Sequence, residues 1–410
     1  MDIVLGAGIV GVSAALHLQA RNRQIVLVDR RGAGEETSHG NAGLIERTDL
    51  LPRAFPRAIN DILHYAMNRD PRVRYDMSSL ALFAPWLARY WWHSDKNSVD
   101  QISRFITPLF EHSLIEHEAL LSQTGASDLL RPNGWLHLSR NPAALQSAMV
   151  GVEHSRRANL EVEVLDSAQI AKHEPALREQ FAWGIHLKGS ASISDPGKLV
   201  KTLADLFVKR GGTIATGDAS TLASIQTGWA VQTDAGMLTG ENAVVALGPW
   251  SDMVFKPLGY KIPFAVKRGY HMNYNYTDEP RLNIPVIDAD NGFVLSPMQS
   301  GTRLTTGIEF APRDHAPSPK QFAQVEPVAR NMLHLGERQL DQPWMGSRPC
   351  TADMRPVIGP AHRHKGLWFS FGHAHHGLTL GPVTGRLIAE MMTGEKPIAD
   401  PAPFSVARFG

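Results

Sequence analysis

Three glycines near the amino terminus have the spacing of a dinucleotide-binding turn. They are Gly6, Gly8 and Gly11. In such a turn the first glycine allows the sharp bend, the second lets a pyrophosphate approach the backbone, and the third lets the following helix pack closely on the strand. The dipole of that helix directs its positive end at the phosphates. The alternative is a glycine turn with a purely structural role.

The residues around this turn predict the elements that position it. The apolar segment 3–5 is typical of a strand, and residues 12–18 are typical of an amphipathic helix. A second apolar segment, 24–28, ends at Asp29, whose carboxylate suits a pair of ribose hydroxyls. Strand, turn, helix and acid therefore agree on a dinucleotide site.

The segment after Asp29 has the composition of a ligand-lining loop. Residues 30–43 lack apolar periodicity and are rich in small and polar side chains. Small residues let main-chain amides reach a ligand, so the part from Ser38 to Gly43 is predicted to line the inner phosphate and the ring system of the cofactor. A plain surface loop is the alternative.

Composition argues against several classes of protein. The chain has 410 residues, with 41 Lys and Arg against 40 Asp and Glu and a formal net charge of +1, so nothing predicts a nucleic-acid partner. The single cysteine, Cys350, can form neither an internal disulfide nor a thiolate zinc cage, which favours a reducing compartment. We expect neither a secretory leader nor a transmembrane helix, and the expected location is the cytoplasm.

Two later segments add strand ends at which a cofactor could bind. Residues 243–247 are typical of a strand closed by Gly248, where a backbone can run beside a flat ring system. Residues 367–371 are typical of another strand, followed by a turn and a helix over 378–392 whose positive end points at the turn. No second GxGxxG motif is present, so nothing predicts an NAD site. Electrons are expected to enter from the substrate and to leave to oxygen, a quinone or a partner protein.

Three blocks of sequence stand in order along the chain. They are GAGIVGVSAALHL with VDRRG and ETSHGNAG, then VVALGPWS, and then SRP through PVIG to GHAHHGLTLGPVTG. Together they resemble the FAD-dependent D-amino-acid oxidase and dehydrogenase family, and most closely its bacterial D-amino-acid dehydrogenases. The resemblance implies non-covalently bound FAD and an α/β, two-domain fold. In that fold a Rossmann-like FAD-binding domain of the glutathione-reductase type is interleaved with a substrate domain built on a mainly antiparallel sheet with helices.

Because the blocks lie far apart, the two domains are predicted to be discontinuous. The FAD-binding domain is predicted to comprise residues 1–48, 146–258 and 345–410. The substrate-binding or cap domain is predicted to comprise residues 49–145, with helical patterns, and 259–344, with strand-like alternation. These assignments predict a sheet that covers the flavin face.

The motif and the resemblance together predict the residues that contact FAD. This set comprises Gly6, Gly8, Ile9, Val10, Gly11, Asp29, Arg30, Arg31, Ser38, Gly40, Asn41, Ala42, Gly43, Ser220, Ala246, Gly248, Trp250, Gly372, His373, Gly377, Leu378 and Thr379. The resemblance places the end of a strand, near Ser220, against the adenine. It also directs the start of the helix from residue 378 at the pyrimidine side of the flavin, where the helix dipole stabilises the reduced form.

Three side chains are predicted to serve the chemistry of amine oxidation, which depends on alignment of the substrate rather than on a strong base. Arg348 matches the family's G-x-R-P motif, whose arginine pairs with the substrate carboxylate. A structural salt bridge is the alternative for Arg348, and Arg47 is a second candidate anchor. Tyr270 is predicted to bind the carboxylate or exclude water, against a half-buried strand tyrosine. His376 is predicted to hydrogen bond to the flavin edge or to line a polar wall.

The carboxy-terminal turn raises two questions of cofactor chemistry. Several histidines crowd residues 373–376, but the resemblance fills this turn with flavin contacts, so we expect no metal ion. In the sarcosine oxidases of the family a cysteine attaches the flavin. That cysteine lies farther upstream of Asp353 than Cys350 does, so we expect Cys350 to be a small buried residue.

The resulting hypothesis is an FAD enzyme that oxidises a D-amino acid, or a cyclic secondary amino acid of the D-proline or hydroxyproline type, to its imine. One alternative is the catalytic FAD subunit of a heteromeric opine or sarcosine oxidase or dehydrogenase. Another is a flavin electron-transfer subunit with no substrate site.

The tryptophans of segment 80–92 favour either peripheral contact with the inner face of the cytoplasmic membrane or packing inside the cap domain.

Overall fold

The computed structural model describes residues 1–47 and 50–410. The helices are α1 (Ile9–Gln19), α2 (Ile59–Ala66), α3 (Leu80–Trp92), α4 (Lys96–Leu121), α5 (Leu145–Arg157), α6 (Ser167–His173), α7 (Pro196–Lys209), α8 (Asp252–Phe255), α9 (Lys320–Met332) and α10 (Gly377–Thr393). The strands are β1 (Asp2–Leu5), β2 (Ile25–Asp29), β3 (Leu44–Ile45), β4 (Val73–Tyr75), β5 (Leu130–Arg131), β6 (Leu136–Ser139), β7 (Glu163–Leu165), β8 (Trp183–His186), β9 (Ala191–Ile193), β10 (Thr213–Ile225), β11 (Gly228–Thr233), β12 (Gly236–Gly240), β13 (Asn242–Val245), β14 (Phe264–Tyr274), β15 (Val286–Asp288), β16 (Phe293–Met298), β17 (Gly301–Thr305), β18 (Ile308–Phe310), β19 (Trp344–Thr351), β20 (Val357–Pro360) and β21 (Leu367–Phe371).

An eight-stranded sheet carries the amino-terminal motif, in the order β12-β11-β10-β2-β1-β13-β21-β20. The central strands β10, β2, β1, β13 and β21 are parallel, and the outer strands β12, β11 and β20 pair antiparallel. The residues of β1 are all buried, as expected for a central strand covered on both faces. Because the central strands are parallel, the carboxyl ends of β1, β2 and β13 lie at one edge of the sheet.

Helix α1 begins directly at the glycine turn but is not amphipathic, in contrast to the prediction. Eight of its residues, from Ile9 to Leu18, are buried. The helix lies between the sheet, α7 and α10, which cover its different faces. A helix that is apolar on all sides belongs in the interior of a large domain.

A second sheet of ten strands is mainly antiparallel, as the family resemblance implies. Its main path is β4-β18-β14-β17-β16-β15-β6-β8-β7, and β19 pairs along β14. The pairing of β14 and β19 is antiparallel and sets Lys267 directly opposite Arg348. A separate three-stranded sheet, β3-β9-β5, joins the loop after the glycine motif to the rest of the fold.

The pairing of three strands suggests a different assignment from the predicted domain boundaries, and the boundaries themselves remain a prediction. Strands β7 and β8 lie within the range 146–258 and β19 lies almost wholly within 345–410, yet all three pair in the ten-stranded sheet. We therefore propose to count them with the substrate domain. The predicted boundary between residues 48 and 49 falls outside the described residues.

The tryptophan-rich segment forms helix α3 and is divided between core and surface. Trp86 packs against Tyr90 and Phe310, whereas Trp92 is 71% exposed. Packing in the protein interior thus explains the position of Trp86. Peripheral contact of the exposed face of α3 with a membrane stays a hypothesis. No helix in residues 1–47 or 50–410 has the length and apolar character that crossing a membrane requires.

A buried histidine where α4 packs on α10 predicts acid sensitivity of the fold. One ring nitrogen of His117 lies 2.8 Å from the Leu378 carbonyl, and burial lowers its pKa to about 4. In the unfolded chain this histidine has an ordinary pKa near 6.5, so between pH 4 and pH 6.5 it is protonated in the unfolded chain but neutral in the folded one. The stability contribution is therefore complete above pH 6.5 and is lost as the pH falls towards 4. At pH 5 the loss is about 2 kcal/mol.

We expect denaturant titrations at pH 5 and pH 7.5 to show this loss of stability. His117→Gln should reduce the loss, because a glutamine side chain does not titrate, and its amide can still donate to the Leu378 carbonyl. The exposed His334 supplies the control variant His334→Gln. An equal pH dependence in His117→Gln and wild type would contradict the assignment.

Candidate functional site

One cavity, with a volume of about 710 Å³, joins the two sheets. Its walls include residues at the carboxyl ends of β1, β2 and β13 and residues of β14 and β19. In open α/β sheets, ligands bind outside the carboxyl ends of the parallel strands. The cavity also has the size of a ligand pocket.

The glycine turn at the end of β1 is built as the motif predicts. A Cβ atom at Gly11 would lie 1.8 Å from the carbonyl oxygen of Gly6, and Gly6 itself has a φ of +103°. No acidic side chain occupies the first turn of α1, so its amino terminus is open to an anion. Gly8, Ile9 and Val10 line the cavity there.

Asp29 stands beside this turn at the end of β2 and lines the cavity. Its carboxylate accepts hydrogen bonds from the backbone N–H of Ala7, at 2.7 Å, and of Arg31, at 2.9 Å. A carboxylate has roughly four acceptor positions, so ribose hydroxyls can still donate to it. The Arg31 side chain lies near Glu36 instead of the cavity, at 3.3 Å, and the structure gives it no place in the pocket.

The predicted loop from Ser38 to Gly43 lies along the cavity and is held from both sides. The hydroxyl of Ser38 accepts a hydrogen bond from the N–H of Ile9 at 3.1 Å, which ties the loop to the start of α1. From β17, the buried Arg303 guanidinium donates to the carbonyls of His39 and Asn41, at 2.9 and 2.6 Å. Burial lowers the pKa of Arg303 to about 10, so it stays charged at neutral pH.

Replacing Arg303 with methionine should loosen this loop and weaken cofactor binding. A hydrogen bond from a charged group is worth about 1.5–3 kcal/mol, and an effect equal to one such bond predicts a roughly 10- to 100-fold weaker affinity for FAD. Titrating the apoprotein with FAD and following the quenching of flavin fluorescence measures the change. Arg156→Met, on the exposed face of α5, is the control. Equal affinities in the two variants would show that Arg303 does not support the loop.

The residues at the predicted adenine end follow the central strands β2 and β13 or belong to β10. The Arg30 guanidinium lies 4.1 Å from the ring centre of Trp250, and both residues line the cavity with Ala246 and Gly248. Ser220 also lines it, but it does not end a strand as predicted: β10 continues to Ile225. The register of β10 shifts between Asp218 and Ala223, where pairing with β11 is interrupted.

The carboxy-terminal turn brings the start of α10 to the opposite part of the cavity. Gly377 and Leu378 line it there. His373 also lines it, but one of its ring nitrogens lies 3.1 Å from the Thr384 hydroxyl, and burial lowers the pKa of His373 to about 3, so the ring is neutral.

Several predicted cofactor residues do not line the cavity. They are Gly6, Gly11, Arg31, Gly43, Gly372 and Thr379. The first two shape the turn from behind, and the hydroxyl of Thr379 donates to Leu44 and accepts from Glu46 within the core. Direct contact of FAD with the predicted set stays a prediction.

Arg348 projects from β19 into the cavity against Gly269 of β14. Its guanidinium donates to the carbonyl oxygens of Gly307, at 2.9 Å, and Thr306, at 3.4 Å. No carboxylate of the described residues forms an ion pair with it. Burial lowers the pKa of Arg348 from the usual arginine value. A buried cation without a counter-ion is suited to bind an anionic ligand, and this placement does not support the structural salt bridge among the described residues.

Tyr270 lines the cavity, but its hydroxyl is engaged by other groups of the protein. It donates to Glu309 at 2.8 Å and accepts from the N–H of Ser318 at 2.7 Å. Side chains alternate between the two faces of a strand, so Tyr270 shares a face with Arg268, which also pairs with Glu309. We therefore leave Tyr270 out of the proposed substrate contacts. The second candidate anchor, Arg47, does not line the cavity.

His376 forms part of a polar cluster that the sequence did not reveal. Its Nδ1 atom lies 3.2 Å from Glu46 Oε2, and His375 Nε2 lies 3.7 Å from the same oxygen. All three atoms are buried without a hydrogen-bond partner. Their geometry could hold a metal ion. Burial lowers the pKa of His375, and His376 and then Arg53, Arg348 and Lys267 lower it further. The three positively charged side chains also oppose a metal cation there.

Glu46 and Lys267 are charged cavity residues that sequence reasoning missed, and His375 was noted only as one of the crowded histidines. The signal available for Lys267 was its place three residues before Tyr270 in a strand assigned to the substrate domain. Cys350, by contrast, is buried as expected, and burial raises its thiol pKa.

A parallel sheet with a dinucleotide-binding turn, covered by a second sheet across a shared cavity, defines a class of dinucleotide-dependent oxidoreductases. The model of the DAO family, described as FAD dependent oxidoreductase, matches residues 3–391. The chain therefore belongs to this family and is an FAD-dependent oxidoreductase.

Relatives of known name agree with this assignment. The chain is 27% identical to a D-amino-acid oxidase of Bradyrhizobium diazoefficiens, covering 99% of this chain and 98% of the relative. It is 28% identical to a D-amino acid dehydrogenase of Xanthobacter autotrophicus, over 99% and 98% of the two chains. Among solved structures, glycine oxidase from Geobacillus kaustophilus superimposes with a TM-score of 0.76 at 20% identity, covering 99% of this chain and 98% of that one. The last similarity supports the fold.

The residues that line the cavity fit FAD. The open amino terminus of α1 suits the pyrophosphate, Asp29 suits the ribose, and the glycine turn leaves no side chain between backbone and ligand. A side chain at Gly40 would collide with Trp344, since a Cβ there would lie 1.8 Å from its ring. The loop thus runs close under the ten-stranded sheet.

Proposed function

We propose that this enzyme oxidises the Cα–N bond of an amino acid to an imine, with a D-amino acid or a cyclic secondary amino acid as substrate. FAD, when bound, supplies the two-electron acceptor for the hydride that leaves Cα. An acyclic imine is then hydrolysed to the 2-oxo acid and ammonia. The names of the relatives, D-amino-acid oxidase and D-amino acid dehydrogenase, support this choice of substrate.

The observation that carries the proposal is the guanidinium of Arg348 on the wall of the cavity, which forms no ion pair with a carboxylate of the described residues. Arginine binds a carboxylate through two parallel hydrogen bonds, which fixes both the position and the orientation of the amino acid. Orientation of this kind provides much of the rate when no strong base is required.

Glu46 and His376 are proposed to face the amino group. The unpartnered Glu46 Oε2 can accept a hydrogen bond from an amine, and the adjacent His376 Nδ1 gives the pair a route by which a proton can be held or passed on. Phe110 packs edge-on against His376, with ring centres 4.9 Å apart, and helps to exclude water. The amine must lose its proton before the hydride leaves Cα.

Anaerobic titration of the purified yellow protein tests the proposal. We expect D-amino acids or cyclic secondary amino acids to bleach the flavin absorbance, and L-amino acids to bleach it less. Readmitting air then distinguishes oxygen from a quinone or a partner protein as the electron acceptor. Bleaching by N-methyl amino acids or opines, with further polypeptides copurifying, would favour the heteromeric enzyme. No bleaching by any of these compounds would favour the electron-transfer subunit.

A further inference from the structure

Two cations stand side by side on the wall of the cavity. Lys267 of β14 and Arg348 of β19 are direct partners in the antiparallel register, and both line the cavity. Directly opposite residues of an antiparallel pair have Cβ atoms only about 4.5–5.5 Å apart, and like charges in such positions are destabilising. This arrangement calls for a compensating negative charge.

The described residues do not supply a negative charge that pairs with Lys267 or Arg348. The ammonium of Lys267 lies over the rings of Tyr90, Trp86 and Phe310, at 4.3, 5.2 and 5.4 Å from their centres. Aromatic faces stabilise a cation but do not neutralise it. Within residues 1–47 and 50–410, neither Lys267 nor Arg348 forms an ion pair with a carboxylate.

An unpartnered donor and further positive charges lie in the same corner of the cavity. The indole N–H of Trp86, a ring that packs on Lys267, is buried and has no hydrogen-bond partner. Arg53 and Arg348 add to the positive potential at His375, and Glu46 is the acidic group that acts on Arg348. At the cofactor end, Asp29 accepts from the backbone N–H of Ala7, and Glu36 pairs with Arg30, so neither carboxylate pairs with Lys267 or Arg348.

We propose that the substrate has two carboxylates, one bound by Arg348 and the second by Lys267 inside its aromatic ring cluster. The substrate class is an amino dicarboxylic acid, in which the second carboxylate stands either on the side chain or on a substituent of the nitrogen. This inference rests on the proposed function, because it assigns the first carboxylate to Arg348. A single carboxylate shared by the two cations is the competing arrangement.

Matched substrates measure the contribution of the second carboxylate. D-Glutamate is compared with D-glutamine, and iminodiacetate with N-methylglycine, as reductants of the flavin in the holoenzyme. We expect the dicarboxylate of at least one pair to have a kcat/KM about 10- to 100-fold higher than its partner, as for a charge-assisted pair in a desolvated site. The pair that responds identifies the carrier of the second carboxylate.

Lys267→Met should lower kcat/KM for the dicarboxylate more than for its monocarboxylate partner and so remove this preference, and Lys267→Arg should restore most of it. Lys261→Met, at an exposed position just before β14, is the control. Flavin content and unfolding temperature establish that each variant is folded. Equal losses for both members of each pair in Lys267→Met, or no preference in the wild type, would overturn the inference.

Binding of ligands that cannot be oxidised separates this inference from the proposed function. The visible flavin spectrum is titrated with glutarate, succinate and butyrate. We expect the dicarboxylates to bind roughly 10-fold or more tightly than butyrate, and this difference to disappear in Lys267→Met. Tighter binding of the dicarboxylates without flavin reduction by any amine would refute the proposed oxidation but support the dicarboxylate site. Flavin reduction by an amino acid without any preference for dicarboxylates would support the proposed oxidation and refute the dicarboxylate site.

Discussion

Arg348→Met should lower kcat/KM for the amino-acid substrate about a thousandfold while the protein keeps its flavin. Removing one partner of a buried, hydrogen-bonded charge pair costs roughly 2–5 kcal/mol, and about 4 kcal/mol corresponds to a factor of a thousand. Methionine fills a similar volume beside Gly269 but cannot bind a carboxylate. Stopped-flow reduction of the flavin under anaerobic conditions measures the effect.

Arg348→Lys should show an intermediate loss, because a lysine keeps the charge but cannot form the paired hydrogen bonds. Arg104→Met, on the exposed face of α4, should react like the wild type. Full activity of Arg348→Met with bound flavin would exclude Arg348 as the carboxylate anchor and would favour a subunit whose substrate site lies elsewhere. Loss of the flavin itself would instead assign Arg348 a role in cofactor binding.

Gly11→Ala should weaken the binding of FAD and destabilise the first domain. The added methyl group would lie 1.8 Å from the Gly6 carbonyl oxygen, so the turn and α1 must move apart. Overpacking of this kind costs about 1–3 kcal/mol, which corresponds to a roughly 5- to 150-fold loss of affinity for FAD. Flavin content after purification and titration of the apoprotein with FAD both report the change.

The control for this variant is Gly151→Ala on α5, where an added Cβ would contact nothing within 4 Å. Alanine is favoured over glycine in a helix, so Gly151→Ala should keep its flavin and be as stable as the wild type. Wild-type affinity for FAD in Gly11→Ala would show that the contact between strand and helix can relax without disturbing the phosphate site.

The cofactor end of the molecule was largely predictable because its information is local. The glycine turn, α1, β2 and Asp29 follow one another within thirty residues, and each residue type has one conformational or hydrogen-bonding task. The strand at residues 367–371 and the helix after it have nearly the predicted limits. Local rules also failed in places: α1 is buried on all sides, and β10 runs past Ser220, because neighbouring elements rather than local sequence decide burial and strand length.

The substrate end could not be read in the same way. Strand β14 is buried or half-buried along its whole length, so its sequence shows no alternation to tell which face meets the cavity. A shift of one residue exchanges the two faces, so the sequence did not indicate that Lys267 stands opposite Arg348 while the Tyr270 hydroxyl pairs with Glu309. Glu46 and His376 are 330 positions apart by their numbers in the chain, and only packing brings them together.

The sequence by itself thus determined the family and the cofactor, and it predicted the arginine of the G-x-R-P motif as the carboxylate anchor, since these depend on short segments with fixed spacing. The tertiary structure alone decided that Lys267 stands beside Arg348, that Glu46 meets two histidines, and that Tyr270 faces Glu309. Those placements follow from sheet register and from contacts between distant segments. Neither is encoded in the periodicity of any one segment.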